Sequence, residues 1–180
     1  MSNAPREARS FRQIEADHLR LLATIAMESI AGVTRDGNKS YVYRDRLLLL
    51  CLCQGAALHH QQKLAGLPEE ECRGIHDFDV WGFFRTHPDR PFPPRWRGEH
   101  DLGVPHFGRR PEDGHFVGRK VDVIGRSVDC RPNEDGAGSV LRWVQNGGGS
   151  SPRHIRQRPI FVISDGPDFG RMIWPGVSVA

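Results

Sequence analysis

The spacing of apolar residues predicts a helix near the start of the chain. From Phe11 to Ala31, apolar side chains recur every three or four residues, which places them on one face of an α-helix. Ser10 is suited to cap the first turn and Gly32 to end the last one. The polar residues 1–10, which include a proline, are expected to form a disordered arm.

Several further segments have the composition of β-strands. Leu47–Cys53 is an uninterrupted apolar run, typical of a strand buried on both faces, and a glycine turn and a helix are expected to follow it. Other segments combine β-branched and aromatic residues, which favour extended structure. These further strand candidates are Tyr41–Tyr43, His76–Phe84, Arg119–Ser127 and Ile160–Ile163. Val140–Gln145 is expected to be a short helix that ends before three consecutive glycines.

The segment at about 86–118 is expected to be a long irregular loop. It is rich in proline and glycine, which do not sustain regular structure. Loops of this length usually serve a function, such as a lid, or are disordered. The remaining pattern predicts an α/β (α+β) fold, a mixed sheet flanked by helices in one compact domain over residues 11–180.

Length and composition favour a single cytoplasmic domain. The chain has 180 residues, enough for one domain with a core. No stretch is long and apolar enough to span a membrane, and the first residues lack the apolar core of a secretory signal. The four cysteines are too few for a disulfide framework.

The basic residues are mostly arginine, although the net charge is only +3. Arginine pairs phosphate with two parallel hydrogen bonds, so its clusters could bind polyanions. A coding preference for arginine and an ordinary solvated surface explain the clusters equally well. The clusters are Arg90, Arg95, Arg97, Arg109, Arg110, Arg119 and Lys120, and then Arg153, Arg156 and Arg158.

Three aspartates stand out because they interrupt apolar strand candidates. Asp77 and Asp79 point to the same face of one strand, with Cα atoms about 6.6 Å apart. Asp122 lies between two valines on another strand candidate. On adjacent strands the three carboxylates would hold Mg²⁺ or Mn²⁺. Each also has a simpler explanation, since such a pair often marks a polar strand face and Asp122 could pair with Arg119 or Lys120.

The order of these features resembles the nucleotidyltransferase fold of the DNA polymerase β superfamily. Members carry the patterns hG[GS], Dh[DE]h and h[DE]h, where h is apolar, and the corresponding segments here are LLLLCLCQGAAL, DFDV and VDV. The resemblance covers roughly residues 11–127. It implies that Gly55 lets nucleotide phosphates approach the backbone, and that Asp77 and Asp79 bind metal. It also implies that Asp122 is the third ligand and the general base.

Two departures from the family pattern affect the nucleotide site. Ala56 follows Gly55 where members have glycine or serine, and the interval from Gly55 to Asp77 is longer than usual. The candidates for contact with the triphosphate are Gly55, Ala56 and the cations of Arg119 and Lys120.

The resemblance implies an enzyme that moves a nucleoside monophosphate from an NTP to an acceptor hydroxyl and releases pyrophosphate. The acceptor could be a small molecule, RNA or a protein, and a homodimer could complete the cleft. The alternative is a catalytically silent module of the same fold that binds nucleic acid or a protein partner. A third possibility is an interaction protein whose aspartates are ordinary surface charges.

Overall fold

The computed structural model describes residues 8–33, 42–103 and 105–175, which contain six strands and four α-helices. The strands are β1 (Leu47–Cys53), β2 (Phe78–Arg85), β3 (Arg97–Asp101), β4 (Lys120–Val128), β5 (Ile160–Val162) and β6 (Met172–Trp174). The helices are α1 (Ala16–Ala31), α2 (Gln54–Leu64), α3 (Gly136–Asn146) and α4 (Ser150–Ile155). Short 3-10 turns occur at Tyr43–Arg46, Glu69–Glu71 and Pro105–Phe107.

The strands form one mixed sheet in the order β3-β4-β2-β1-β5-β6. β2 and β4 run parallel, and every other neighbouring pair is antiparallel. The register places Asp79 between Cys53 on one side and Asp122 on the other. The end of β1, the start of α2 and the start of β2 therefore meet at one edge of the sheet.

Helices cover both faces of the sheet, which confirms the α/β prediction. Alternate residues of β1 enter different cores, because side chains alternate across a strand. Leu50 and Leu52 pack with residues of α1 and α2, whereas Leu49 and Cys51 pack with residues of α3 and α4. The apolar run of β1 is thus explained by burial on both faces. Asp79 shares its face with Trp81, on the side of α3 and α4.

The long strands and helices agree with the sequence prediction, but the start of α1 does not. The predicted cap Ser10 is wrong, because α1 begins at Ala16 after Glu15. The backbone of Ser10 instead pairs with Ile75, with N···O distances of 2.9 and 2.6 Å. Of the expected arm, residues 1–7 lie outside the described part, and residues 8–10 lie against the domain.

Most of the described part of segment 86–118 is irregular, as its prolines and glycines predicted, but the segment is not irregular throughout. It contains β3, which pairs along β4 at the edge of the sheet. An edge strand needs a partner on one side only and tolerates exposed polar residues. Before β3, the Phe92 ring stacks on the Phe84 ring with centroids 4.3 Å apart. The backbone N–H of Phe92 donates a hydrogen bond to Ser127 Oγ. These contacts hold the segment on the domain.

Smaller elements were missed for lack of periodicity. α4 and β6 are too short to show a pattern, and Tyr43 opens a 3-10 turn rather than ending a strand. Tyr41, where that strand was predicted to begin, lies outside the described residues. All four cysteines are free. Across the described residues, no helix combines the length and apolar character that a membrane crossing requires.

Candidate functional site

A cleft of about 700 Å³ opens where β1, α2 and β2 meet. Its wall includes Asp77 and Asp79 together with the first residues of α2. The other charged side chains that line it are Arg9, Arg73, Arg110, Glu112 and Arg158. A cleft with this excess of guanidinium groups suits an anionic ligand, and its two aspartates suit a cation carried with that ligand.

Asp79 is the most perturbed acid in the cleft. Burial raises the pKa of its carboxyl to about 7, and the charges of Asp77 and Asp122 act in the same direction. Among the described residues, no cation forms an ion pair with it. Asp77 was predicted on the same strand as Asp79, but it lies in the coil just before β2, with its Oδ2 3.4 Å from His76 Nδ1. The ionised form of Asp79 therefore lacks a direct counter-ion, which a bound divalent cation would supply.

Asp122 has different surroundings, although it lies directly opposite Asp79. Its side chain is completely buried, and both carboxylate oxygens accept hydrogen bonds from Arg97. The Nε–Oδ1 distance of that pair is 3.1 Å, and Lys120 Nζ lies 3.1 Å from Oδ2. The structure thus shows the ion pair that was the simpler explanation of Asp122, with Lys120 as one partner and Arg97 as the other.

The donor set fits a divalent ion only in part. In the described ranges, no three His, Cys, Asp or Glu side chains are grouped so as to hold a metal ion. Asp77 and Asp79 share the cleft and fit as two oxygen ligands, whereas the oxygens of Asp122 are engaged by cations. Two carboxylates, water and substrate phosphate together make a common ligand set for Mg²⁺.

The start of α2 forms the second half of the cleft. Gln54 has a φ of +60°, an uncommon conformation for a residue other than glycine. Its side chain is buried, and Nε2 has no hydrogen-bond acceptor among the described residues. The next residue, Gly55, lies in the first helical turn, whose N–H groups have no acceptor within the helix. Such a helix start favours a negatively charged ligand.

Two arginines converge over Gly55. A Cβ atom at Gly55 would lie 3.4 Å from Arg73 Nε and 3.6 Å from Arg158 Nη1. Burial and the nearby positive charge of Arg158 lower the pKa of Arg73. Neither guanidinium group forms an ion pair with an acid of the described chain. Two like charges held together beside a helix start indicate a place for an anion.

Arg110 serves mainly to build the wall. Its guanidinium donates to both carboxylate oxygens of Asp113, at 2.6 and 2.7 Å, and this pairing contributes to a lowered pKa of Asp113. Arg110 Nη1 also lies 3.1 Å from the ring nitrogens of His76. Since Asp113 already neutralises it, Arg110 positions His76 beside Asp77 rather than offering a free charge.

Three of the predicted nucleotide-binding residues do not line the cleft. Ala56 is completely buried in the core beneath α2. Arg119 is buried and donates to the backbone oxygens of Ala8 and Phe107, at 2.7 and 2.6 Å. Lys120 bridges Asp122 and Glu99. Ala56 is structural because its methyl group faces the core, and Lys120 because its Nζ is paired with two acids. Arg119 is structural because backbone oxygens accept from both of its terminal nitrogens, although its buried Nε has no acceptor among the described residues.

Gly55 does line the cleft, and the arginines beside it come from unexpected segments. Arg158 belongs to a basic cluster that the sequence showed, but nothing linked that cluster to the aspartates. Arg73 follows an acidic triplet that predicts only an exposed loop. Its side chain reaches the cleft because Ile75 pairs with Ser10 and fixes the approach to β2.

No protein-family model, curated protein or solved structure matches this chain.

Proposed function

We propose that this chain is a metal-dependent nucleotidyltransferase that moves a nucleoside monophosphate from an NTP to an acceptor hydroxyl. One observation carries the proposal. The unpaired carboxylate of Asp79 faces the same cleft as the unpaired guanidinium groups of Arg73 and Arg158, at the start of a helix. A metal-bound triphosphate would supply a cation for Asp79 and negatively charged phosphates for the two arginines.

The two halves would divide the substrate between them. Asp77 and Asp79 would hold Mg²⁺ or Mn²⁺, which when bound supplies positive charge to the phosphates. The terminal phosphates would accept hydrogen bonds from Arg73, Arg158 and the N–H groups at Gly55. The absence of a side chain at Gly55 keeps the floor of the cleft open, since a Cβ would lie against both arginines.

The proposed reaction is an in-line displacement at the α-phosphorus. The acceptor oxygen forms a bond to phosphorus, and the bond from phosphorus to the bridging oxygen breaks. Pyrophosphate leaves with that electron pair, and the hydroxyl proton is lost. Negative charge develops on the leaving pyrophosphate, and fixed cations beside it stabilise that charge. Arg73 and Arg158 would supply these cations, since they would contact the terminal phosphates.

The predicted role of Asp122 as general base stays a prediction. Both oxygens of Asp122 already accept hydrogen bonds from Arg97, and Lys120 lies against Oδ2, so neither oxygen is free to take a proton from the acceptor. We therefore propose that the acceptor proton leaves to water at the cleft mouth. The acceptor in this proposal is a small molecule, RNA or a protein. The proposed enzyme acts in the cytoplasm, and a homodimer could complete its cleft.

A silent module of the same fold is the second candidate. The observation that favours it is the pairing of Asp122, which leaves two rather than three acids for metal. Such a module would bind a nucleotide or the phosphates of a nucleic acid through Arg73 and Arg158 without transferring a group.

Calorimetry with each NTP and a pyrophosphate-release assay decide between the two candidates. The transferase should bind an NTP only with Mg²⁺ or Mn²⁺ and release pyrophosphate in the presence of an acceptor. Asp79→Asn should abolish release while the exposed control Asp129→Asn should not. NTP binding that needs no metal and gives no turnover would support the silent module. A wild type that binds neither an NTP nor a nucleic acid would contradict both.

A further inference from the structure

Asp122 receives one cation from its own strand, β4, and one from the neighbouring edge strand, β3. β3 pairs antiparallel with β4, so Glu99 lies opposite Asp122 and Arg97 lies opposite Ile124. Because side chains alternate, Arg97, Glu99 and Asp122 share one face of the sheet. The Arg97 side chain extends back along this face to Asp122, while Lys120 reaches it from the same strand.

These contacts balance a buried charge. The Asp122 side chain has no exposed surface, whereas 49% of the Arg97 side chain is exposed. The hydrogen bonds to Asp122 raise the pKa of Arg97. Arg97 and Lys120 also lie near enough to Asp79 to oppose the rise in its pKa. A divalent ion at Asp122 would have to displace two cations that already occupy its oxygens.

We infer that Arg97 and Lys120 are resident counter-ions that take the place of a second metal ion at Asp122. On the proposed function, the cleft then takes a single divalent ion, at Asp77 and Asp79. Arg97 uses two of its nitrogens on Asp122, and its exposed surface faces solvent from the edge strand. It thereby gives the site a fixed positive charge that does not depend on the metal concentration.

Titration with Mn²⁺ alone tests this inference, with free Mn²⁺ measured by electron paramagnetic resonance. The wild type should bind one ion per chain. Arg97→Gln removes the counter-ion on Oδ1 of Asp122 and leaves only Lys120, on Oδ2, so a second Mn²⁺ should bind. Arg97→Lys should restore the single ion, because the charge returns. Arg95→Gln is the matched control, since Arg95 is exposed two residues away and should leave the stoichiometry at one.

A double variant keeps the test decisive if Arg97→Gln does not fold. Asp122→Asn with Arg97→Gln removes a positive and a negative charge together and should still bind one Mn²⁺ with affinity close to that of the wild type. A loss of about tenfold or more would make Asp122 a direct ligand and overturn the inference. Two ions on the wild type would overturn it as well, while leaving the proposed function intact. No Mn²⁺ on the wild type would contradict the metal site of the proposed function itself.

Discussion

Asp79 and Asp122 lie opposite each other on parallel strands, yet one carboxylate is unpaired and the other is held by two cations. Their difference arises from position in the sheet. Asp79 adjoins the end of β1, where the cleft opens, whereas Asp122 adjoins β3 and receives Arg97 from it. The free energy cost of the acidic cluster is therefore concentrated in Asp79, where a ligand can relieve it.

The raised pKa of Asp79 predicts an unusual pH dependence of stability in the absence of metal. The unfolded state ionises near pH 4 and the folded state only near pH 7, so the unfolded state binds fewer protons between these values. The contribution of Asp79 to the free energy of unfolding should therefore fall as pH rises through this window, by roughly 2 to 4 kcal/mol. This decrease is measured by urea unfolding at a series of pH values, with a chelator present to remove metal ions.

Asp79→Asn isolates that contribution. The variant should exceed the wild type in stability at pH 8 by the same roughly 2 to 4 kcal/mol and converge with it at pH 4. Asp129→Asn, at an exposed position, should follow the wild type at every pH. Parallel curves for Asp79→Asn and the wild type would show that Asp79 is not strained by burial in the fold.

Much of the sheet was predictable because its strands are buried. The apolar run Leu47–Cys53 and the strand at Lys120–Val128 carry strong local patterns, and burial on both faces preserves them. β3 gave no such pattern, since its sequence RGEHD is polar and only the pairing with β4 makes it a strand. Edge strands draw on tertiary contacts that a local pattern does not contain.

The site was less predictable than the fold. The short spacing of Asp77 and Asp79 identified the acidic side of the cleft, although only Asp79 lies on β2 and Asp77 lies in the coil just before it. The cations could not be assigned in this way. Arg73, Arg97 and Arg158 come from three distant segments, and only the packed domain determines which of them pairs with an acid and which remains free.

Removing either unpaired arginine should weaken nucleotide binding without loss of stability. Arg73→Gln and Arg158→Gln each relieve repulsion between like charges, so the melting temperature should stay the same or rise slightly. Affinity for a metal-bound NTP should fall by about tenfold in each variant, since a charge-assisted hydrogen bond to phosphate is lost. Isothermal titration calorimetry measures the affinity. Arg85→Gln, at the exposed end of β2, is the control, and an equal loss there would refute a specific site.

Arg119 should behave in the opposite way. Arg119→Gln leaves the oxygens of Ala8 and Phe107 without their donor, so the free energy of unfolding should decrease by roughly 2 to 4 kcal/mol. The folded fraction should bind an NTP as the wild type does, because Arg119 does not line the cleft. Urea unfolding and calorimetry below the melting temperature separate the two effects. Selective loss of NTP affinity in a stable variant would return Arg119 to the nucleotide site.

The two buried histidines of α2 predict that acid destabilises the fold. Burial lowers the pKa of His59 and of His60, although His59 Nε2 lies 2.9 Å from the backbone oxygen of Arg12. Below pH 6.5 the unfolded state takes up protons that the folded state excludes, so the free energy of unfolding should decrease as pH falls. We expect this decrease to be measurable between pH 7 and pH 5.

This acid effect opposes the contribution of Asp79 over part of the same range, so it is best measured in the Asp79→Asn background. There, His60→Leu should reduce the loss of stability between pH 7 and pH 5, because leucine has no charge to bury and can still pack against Phe161. His115→Gln, at an exposed position, should leave the loss unchanged. Urea unfolding at each pH gives the slope of the free energy of unfolding against pH for the Asp79→Asn parent and for each of the two variants made in it. If His60→Leu had the slope of its Asp79→Asn parent, protonation of His60 would not limit the acid stability of the domain.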